Sequence, residues 1–300
     1  MGNAFRYSPF PALYGDTRIP VTSDKIDVGL AIAVVTVWVS FLIILPGFKG
    51  ILAKLFIFLR VTGALWLILI ISLGNFAFEW QAGELETITQ YKPFTVHELE
   101  HAKIGVKIGL RGINITLYAD DDNPFGEMID YNERYLWQGG QGQIGFGVQS
   151  GQIGRDFRAA QIRGAPYPIL WILEYFTLDG EQIRWGRKYR TGGWYVHIIM
   201  WLCLPLWALM CALYLFNIRA ASWLLVLIGS LMVLGVIIWS ANITNFPEIE
   251  FPFESGVLRL HYGWTWYLTL FTGIFAFAFG AIIIIADFIF PRQTHRYSSE

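Results

Sequence analysis

The segment His97-Glu98-Leu99-Glu100-His101 has the spacing of a zinc-hydrolase motif. On a helix, histidines four residues apart face the same side and can bind one Zn²⁺, and the glutamate after the first histidine acts as general base. Here Glu100 adds a second carboxylate where such a helix is usually apolar. The segment also runs directly into a predicted strand, and no third ligand follows at helical spacing. The pattern therefore favours an exposed charged turn, with a membrane-tethered metalloprotease as the alternative.

Other residues whose types could bind a cofactor lack the partners that such a site needs. The glycines Gly140, Gly142 and Gly145 match a dinucleotide-binding fingerprint, but that site needs a strand before it and a helix after it. Residues 139–154 are rich in Gly and Gln throughout and are predicted to form a flexible loop. His197 is the only histidine within a predicted span, so facing helices cannot supply a histidine pair for haem. We predict that the chain is not an enzyme and holds no cofactor or metal.

Two Asn-x-Thr sequons, at Asn114 and Asn242, are candidate sites of N-linked glycosylation. N-linked glycans are attached on the lumenal side of the membrane, and both sequons fall on the same predicted side. We therefore predict that both asparagines are glycosylated. The two cysteines, Cys203 and Cys211, lie in one apolar run, so no disulfide is expected outside the membrane.

Composition identifies the elements that must position these residues. The chain is 55% hydrophobic and 15% charged, whereas soluble domains carry about 25% charged residues. Its net charge of −1 excludes the basic footprint of a nucleic-acid-binding protein. Residues 1–27 lack the apolar core of a cleavable signal peptide. Five apolar runs are each long enough to cross a bilayer. The predicted spans are residues 28–46, 55–76, 194–216, 223–239 and 266–286.

The basic residues of the short loops favour one orientation, the basic residues at 184–190 before the third span oppose it, and the two sequons on one side settle it. Lys49, Lys54, Arg219 and Arg292 lie on one side of the membrane, which favours that side as cytosolic. Asp287, at the end of the last span, is predicted to be solvated there. The predicted organisation is an extracellular N-terminal segment (1–27), transmembrane helices 1–2 (28–76), an extracellular domain (77–193), transmembrane helices 3–4 (194–239), an extracellular loop (240–265), transmembrane helix 5 (266–286) and a cytosolic tail (287–300).

The extracellular insert is large enough for a small packed domain. Alternating apolar and polar residues over 104–110 and 113–117 predict two antiparallel strands around the turn Arg111-Gly112, and residues 86–96 could supply another strand. In the last span, Ala276 and Gly280 have a spacing that permits close helix contact. Short helices are predicted at residues 129–137, 155–163 and 166–176.

Particular strings make the chain resemble a known family. Residues 104–117 read IGVKIGLRGINITL, residues 129–133 read IDYNE, and residues 168–177 read PILWILEYFT. In this order and with this topology they resemble the dual oxidase maturation factor (dual oxidase activator) family, from about residue 10 to 290. The resemblance implies an α-helical membrane protein with five transmembrane helices, its N-terminus outside, and a claudin-like small β-sheet extracellular domain with short helices between helices 2 and 3.

The resemblance also implies a function. Such a protein would be a maturation and activating subunit. It would escort a dual oxidase, an NADPH oxidase that produces hydrogen peroxide, from the endoplasmic reticulum to the plasma membrane. It would then stay bound through extracellular and transmembrane contacts, with Phe10, Pro11 and Tyr14 of the extended N-terminal segment touching the oxidase. Its other partner would be membrane lipid, and neither nucleic acid nor a small-molecule substrate is expected.

One departure from the family separates the implied function from its alternative. Vertebrate members carry cysteines in the outer loops, which this chain lacks, so the partnership is expected to be non-covalent. The alternative is a claudin-like cell-adhesion or barrier membrane protein. The missing outer cysteines and the fifth span both argue against that alternative.

Overall fold

The computed structural model describes residues 25–92, 97–120, 123–126, 128–137, 151–178, 184–244 and 247–289. The chain divides into two compact units. One, the sheet unit, contains the described parts of residues 78–194 and 241–263, and the other, the helical unit, contains those of residues 23–77, 195–240 and 264–300. The described helices are α1 (Lys25–Ile44), α2 (Ile51–Phe76), α3 (Gln152–Arg163), α4 (Tyr167–Thr177), α5 (Trp185–Leu213), α6 (Ile218–Thr244) and α7 (Trp264–Ile289).

Five of these helices, α1, α2, α5, α6 and α7, are long and apolar enough to cross a membrane, which confirms the predicted number of spans. Each begins before the predicted apolar run because a helix tolerates polar residues near its ends, whereas α1 and α5 end two and three residues before their runs do. The largest extension is in α5, which begins at Trp185 and includes Arg187 and Arg190. Long basic side chains at such an end can reach toward water.

Tryptophan hydrogen bonds and small residues hold the helical unit together. The indole nitrogens of Trp66 on α2 and Trp207 on α5 donate to Thr272 Oγ1 (3.1 Å) and Ala64 O (2.8 Å). A Cβ at Gly280 of α7 would lie 2.8 Å from Val226 Cγ2 of α6. Ala276 is also buried, which confirms the small-residue contact predicted for this helix.

The sheet unit contains a five-stranded antiparallel sheet in the order β4-β3-β2-β1-β7 and a separate β5–β6 hairpin. Ile104 and Ile115 on one face of the sheet are at most 1% exposed, and α3 and α4 pack in this unit against β4 and β3. The strands are β1 (Gln81–Thr89), β2 (Leu99–Ile108), β3 (Gly112–Ala119), β4 (Asp130–Leu136), β5 (Glu250–Phe253), β6 (Gly256–Arg259) and β7 (His261–Tyr262).

Several predictions for this unit are confirmed. The β2–β3 hairpin pairs Val106 with Ile115 around the predicted turn, and α3 and α4 match the predicted helices of residues 155–163 and 166–176. β1 begins five residues before the predicted strand at 86–96, and residues 93–96 lie outside the described part. The predicted Gly-rich loop also lies mostly outside it, except that α3 already begins at Gln152.

The helix predicted at residues 129–137 is wrong, because this segment forms the edge strand β4. Ile129, Tyr131, Glu133, Tyr135 and Trp137 are all buried, and the residues between them are more exposed. This period of two is the signature of a strand, and aromatic residues favour strands. The strands β5, β6 and β7 fall in a segment that was predicted only as a loop.

Candidate partner-binding surfaces

The His97–His101 segment does not have the geometry of a zinc-binding helix. His97 and Glu98 precede β2, and His101 lies on that strand, so the two histidines are not one helical turn apart. His101 Nδ1 lies 3.3 Å from Glu86 Oε1 on β1, and both side chains are more than half exposed. The described residues contain no group of three or more metal-ligating side chains. Gly140, Gly142 and Gly145 lie outside the described residues.

Two polar residues of the helical unit that the sequence singled out, His197 and Asp287, have structural partners. His197 Nε2 accepts a hydrogen bond from Trp201 Nε1 (2.9 Å), one turn along α5. Asp287 on α7 forms an ion pair with Arg219 on α6 and is only 7% exposed. The prediction that Asp287 is solvated is therefore wrong. A carboxylate buried at the end of an apolar helix needs such a partner.

The two sequon asparagines lie in different surroundings. Asn114 is in the middle of β3 and is 7% exposed, with Lys107 and Arg134 as its neighbours on the adjacent strands. Asn242 is half-buried in the last turn of α6. Their glycosylation stays a prediction. Phe10, Pro11 and Tyr14, the predicted partner contacts, lie outside the described residues.

The sheet has one open, charged face. Side chains on this face alternate with the buried ones, and Glu84, Glu86, Lys103 and Arg134 are all exposed. Lys107 forms an ion pair with Glu79, and the guanidinium of Arg134 lies 5.4 Å from the ring centre of Phe78. Acidic residues on β1 therefore adjoin basic residues on β2, a mixed surface suited to solvent or to a polar partner.

A row of three aromatic side chains, the aromatic ridge, runs along α4: Tyr167, Trp171 and Tyr175. Residues four apart on a helix lie on one face. The Tyr167 and Trp171 rings stack with centres 6.3 Å apart, and Trp171 meets Tyr175 edge-on at 5.4 Å. All three side chains remain at least partly exposed, whereas Phe176 on the opposite face is buried. The helix therefore presents large apolar groups both inward and outward.

The aromatic ridge borders a groove in the sheet unit. The groove has a volume of about 390 Å³, and its walls come from the end of β1, the start of α4 and the β5–β6 turn. Ile88 and Phe253 contribute apolar walls opposite Trp171, and Glu254 contributes one charge. Trp and Tyr side chains that are half-buried or exposed beside a concave apolar surface are typical of the centre of a protein–protein interface.

The aromatic ridge is supported from behind by further rings. Tyr175 contacts Phe251 of β5 with ring centres 5.1 Å apart, and Phe176 contacts Tyr189 at 5.8 Å. Burial raises the pKa of the Tyr175 phenol above its usual value, and Glu174 and Tyr167 raise it further. The phenol is therefore neutral at physiological pH. This surface was not predicted, although the sequence carries a signal for it. The spacing of Tyr167, Trp171 and Tyr175 opposite Ile169, Ile172 and Phe176 is that of a helix with two apolar faces.

The helical unit also has an outward apolar surface. Ile32, Val35, Val39 and Ile43 on α1 form one stripe, and each is at least 45% exposed. The spacing of three or four residues keeps them on one side of the helix. Trp38 of α1 donates from Nε1 to Thr62 Oγ1 of α2 (3.1 Å), which joins these two helices. The stripe can therefore contact lipid or another membrane helix.

Comparisons with known proteins find one family, and the match covers nearly the whole chain. The family model described as dual oxidase maturation factor matches residues 13–297. Dual oxidase maturation factor 1 of Xenopus tropicalis is 28% identical over 277 residues, which are 91% of this chain and 85% of that protein. Its human counterpart is 26% identical over 97% of this chain and 81% of its own length. Dual oxidase maturation factor 2 of Mus musculus is 29% identical over 86% of this chain and 77% of its own.

Proposed function

This chain belongs to the dual oxidase maturation factor family, and we propose on that premise that it escorts a dual oxidase from the endoplasmic reticulum to the plasma membrane and stays bound to it. The match over residues 13–297 is the observation that carries the proposal. The chain would act as an accessory and activating subunit, and the oxidase would perform the chemistry that produces hydrogen peroxide. The N-terminus and the sheet unit would face the lumen or the exterior, and residues 287–300 the cytosol.

Within the membrane, the stripe on α1 is the proposed contact for a helix of the oxidase. Lipid tails are as apolar as valine and isoleucine, so helices associate through close fit and hydrogen bonds. An oxidase that lacks such a neighbour would keep poorly packed helix surfaces and would be retained. Covering those surfaces would permit export.

Outside the membrane, we assign the main contact to the aromatic ridge and its groove. Half-exposed Tyr and Trp side chains provide large contact areas with few rotatable bonds, and such residues dominate the energy of many interfaces. The N-terminal residues Phe10, Pro11 and Tyr14 would add a contact in extended form. The claudin-like classification of the sheet unit stays a prediction.

The association is expected to be non-covalent. The sequence contains two cysteines, Cys203 and Cys211, and both lie on α5, one of the helices suited to a membrane. Neither is available to form a disulfide with an oxidase domain outside the membrane. The complex should therefore survive reducing agents.

The test is co-expression of a dual oxidase with the full-length chain, with a Trp171→Ala variant, and without either. Surface labelling measures exported oxidase, and a peroxide assay on the medium measures its product. We expect both signals to rise only with the chain, and the two proteins to co-purify equally with and without reductant. Equal surface oxidase in the absence of the chain contradicts the proposal and makes cell adhesion the next function to test, by aggregation of cells that express the chain alone.

A further inference from the structure

The helical unit contains a cavity of about 450 Å³ whose walls come from α2, α5, α6 and α7. Its walls are almost entirely apolar and include Leu67 of α2, Met210 of α5, and Phe271, Phe275 and Phe279 of α7. Two of these rings, Phe275 and Phe279, stack parallel with centres 5.8 Å apart. This volume falls in the range of small-molecule sites, about 300–1,000 Å³.

One cation, Arg60 of α2, also lines the cavity. Its Nη1 donates to the backbone carbonyl of Tyr214 (3.3 Å), and its guanidinium lies 5.2 Å from the centre of the Tyr214 ring. No carboxylate among the described residues forms an ion pair with Arg60, whereas Arg219 pairs with Asp287. A guanidinium at the end of an apolar cavity, without an acidic partner in the described chain, suits an anionic group on a ligand.

The guanidinium of Arg60 lies at the ends of α5 and α6, from which an anionic group of a lipid could be reached. Tyr214 follows directly on Leu213, the last residue of α5, and α6 begins at Ile218. The carbonyl that accepts from Arg60 is therefore at the turn between two membrane-crossing helices. By length, α2 with its 26 residues spans about 39 Å, against a hydrocarbon core of about 30 Å, so its ends reach the headgroup layer. Arg60 is the tenth residue of α2, about 14 Å along the helix from Ile51, so its long stem must extend toward that layer.

We propose that this cavity binds a phospholipid, with the phosphate on Arg60 and an acyl chain along the rings of α7. The lipid belongs to the leaflet on the side of Lys54 and Arg219, which the loop charges predict to be cytosolic. Anionic lipids are concentrated in that leaflet, and they bind basic pockets between membrane helices.

An acyl chain fits the cavity better than a helix of a partner protein. One turn of an α-helix with its side chains, about 11 Å wide and 5.4 Å high, already occupies about 500 Å³. The wall polar groups Trp66 and Thr272 bond to each other, which leaves a surface suited to hydrocarbon. Binding is a property of the chain alone and needs no oxidase, so its failure would leave the proposed function untouched.

Two variants separate the headgroup contact from the chain contact. Arg60→Gln removes the charge, and Arg60→Lys retains it if the first variant is unstable. Gly63→Leu fills the cavity, because a Cβ at Gly63 would meet nothing within 4 Å and the new side chain has room to form. The matched control is Gly29→Leu on α1, where a Cβ also meets nothing within 4 Å. Lys49→Gln controls for the loss of a surface charge.

The measurement is native mass spectrometry of the purified full-length chain in detergent, titrated with phosphatidylserine, phosphatidylcholine or diacylglycerol of identical acyl chains. We expect one tightly bound phospholipid, at least tenfold weaker binding in Arg60→Gln, and loss of binding in Gly63→Leu. The Gly29→Leu and Lys49→Gln controls should bind as the wild type does. Diacylglycerol, which lacks the phosphate, should bind weakly and equally to the wild type and Arg60→Gln.

Three outcomes would overturn the proposal. Diacylglycerol that binds as tightly as phospholipid would show that Arg60 recognises no phosphate. Wild-type binding in both Arg60→Gln and Gly63→Leu would place the lipid elsewhere. A chain that binds no lipid alone, but whose cavity becomes protected from a chemical label at Gly63→Cys upon assembly with an oxidase, would assign the cavity to a partner helix.

Discussion

The two units use the same side chains in opposite ways. In the sheet unit, Ile104 and Ile115 are at most 1% exposed, whereas Ile32 and Ile43 on α1 are 61% and 76% exposed. Burying an isoleucine away from water stabilises a fold by about 1.5–3 kcal/mol, but moving it from lipid to protein gains little. Burial of apolar side chains therefore stabilises the sheet unit, whereas close fit and hydrogen bonds between helices stabilise the helical unit.

The largest effect should come from the core of the sheet. Ile115→Ala removes buried methyl groups from the central region of the sheet and should lower the free energy of unfolding by about 2–5 kcal/mol. Ile43→Ala on α1 is the control and should change it by less than about 0.5 kcal/mol. Thermal unfolding of both variants in the same detergent checks this. Equal losses of stability in the two variants would contradict the proposed difference between the units.

The aromatic ridge should matter for association and little for folding. Trp171→Ala removes a half-exposed ring and should weaken oxidase binding about 30-fold, which corresponds to about 2 kcal/mol. Leu178→Ala, at an exposed residue just beyond α4, should leave binding unchanged. Affinity measured with the purified oxidase distinguishes the two. A Trp171→Ala chain that binds normally but unfolds easily would reassign the aromatic ridge to the core.

In the helical unit, a single methyl group should disturb the fit between α6 and α7. A Cβ at Gly229 would lie 2.5 Å from Phe277 N, so Gly229→Ala must separate the two helices, at a cost of about 1–3 kcal/mol. Gly29→Ala on α1 meets no neighbour and should be neutral or slightly stabilising. Thermal unfolding of the two variants in detergent measures the difference. A neutral Gly229→Ala would show that these helices do not depend on close approach.

The ion pair between Arg219 and Asp287 should contribute less to stability than the close contact at Gly229. Asp287→Asn leaves Arg219 without its partner, but that guanidinium is more than half exposed, so we expect a loss of about 1 kcal/mol. Adding Arg219→Gln should restore most of the loss if the cost comes from the unpaired charge. Additive losses in the double variant would contradict this interpretation.

The sequons should affect stability least, and they test the orientation of the sheet unit. Asn114→Gln and Asn242→Gln should each remove one glycosidase-sensitive step in gel mobility. Occupancy at Asn114 should be lower because the sugar must be attached before β3 is covered. Thr116→Ser retains the first sequon and should leave its step in place. A wild-type chain without glycosidase-sensitive steps would contradict the lumenal placement.

Local sequence patterns predicted the elements that depend on local physics. Twenty apolar residues suffice to identify a span, and alternation around Arg111 identifies the β2–β3 hairpin, because both signals lie within one short segment. Strand β4 was predicted as a helix, although its buried residues alternate. The alternation of Ile129, Tyr131 and Tyr135 with polar residues was already a strand signal in the sequence, and the pairing of Glu133 with Ile115 places the strand in the sheet.

Long-range partners could not be predicted in the same way. The contact of Arg219 with Asp287 joins residues 68 positions apart, and the bond from Arg60 to Tyr214 joins residues 154 apart. No periodicity marks either pair. The aromatic ridge had a readable spacing, but the identity of its exposed face depends on how α4 packs against the sheet.

The pairing of β1 with β7 means that the sheet can be completed only late in synthesis of the chain. Gln81 and Ala82 pair with Tyr262 and His261, so the first part of the β1 edge is covered by residues made about 180 positions later. At translation rates of 5–20 residues per second, the ribosome needs on the order of ten seconds to reach them. During that interval the edge of β1 is an open row of hydrogen-bonding groups, a natural target for chaperones. The sheet thus remains incomplete until nearly the whole chain has left the ribosome.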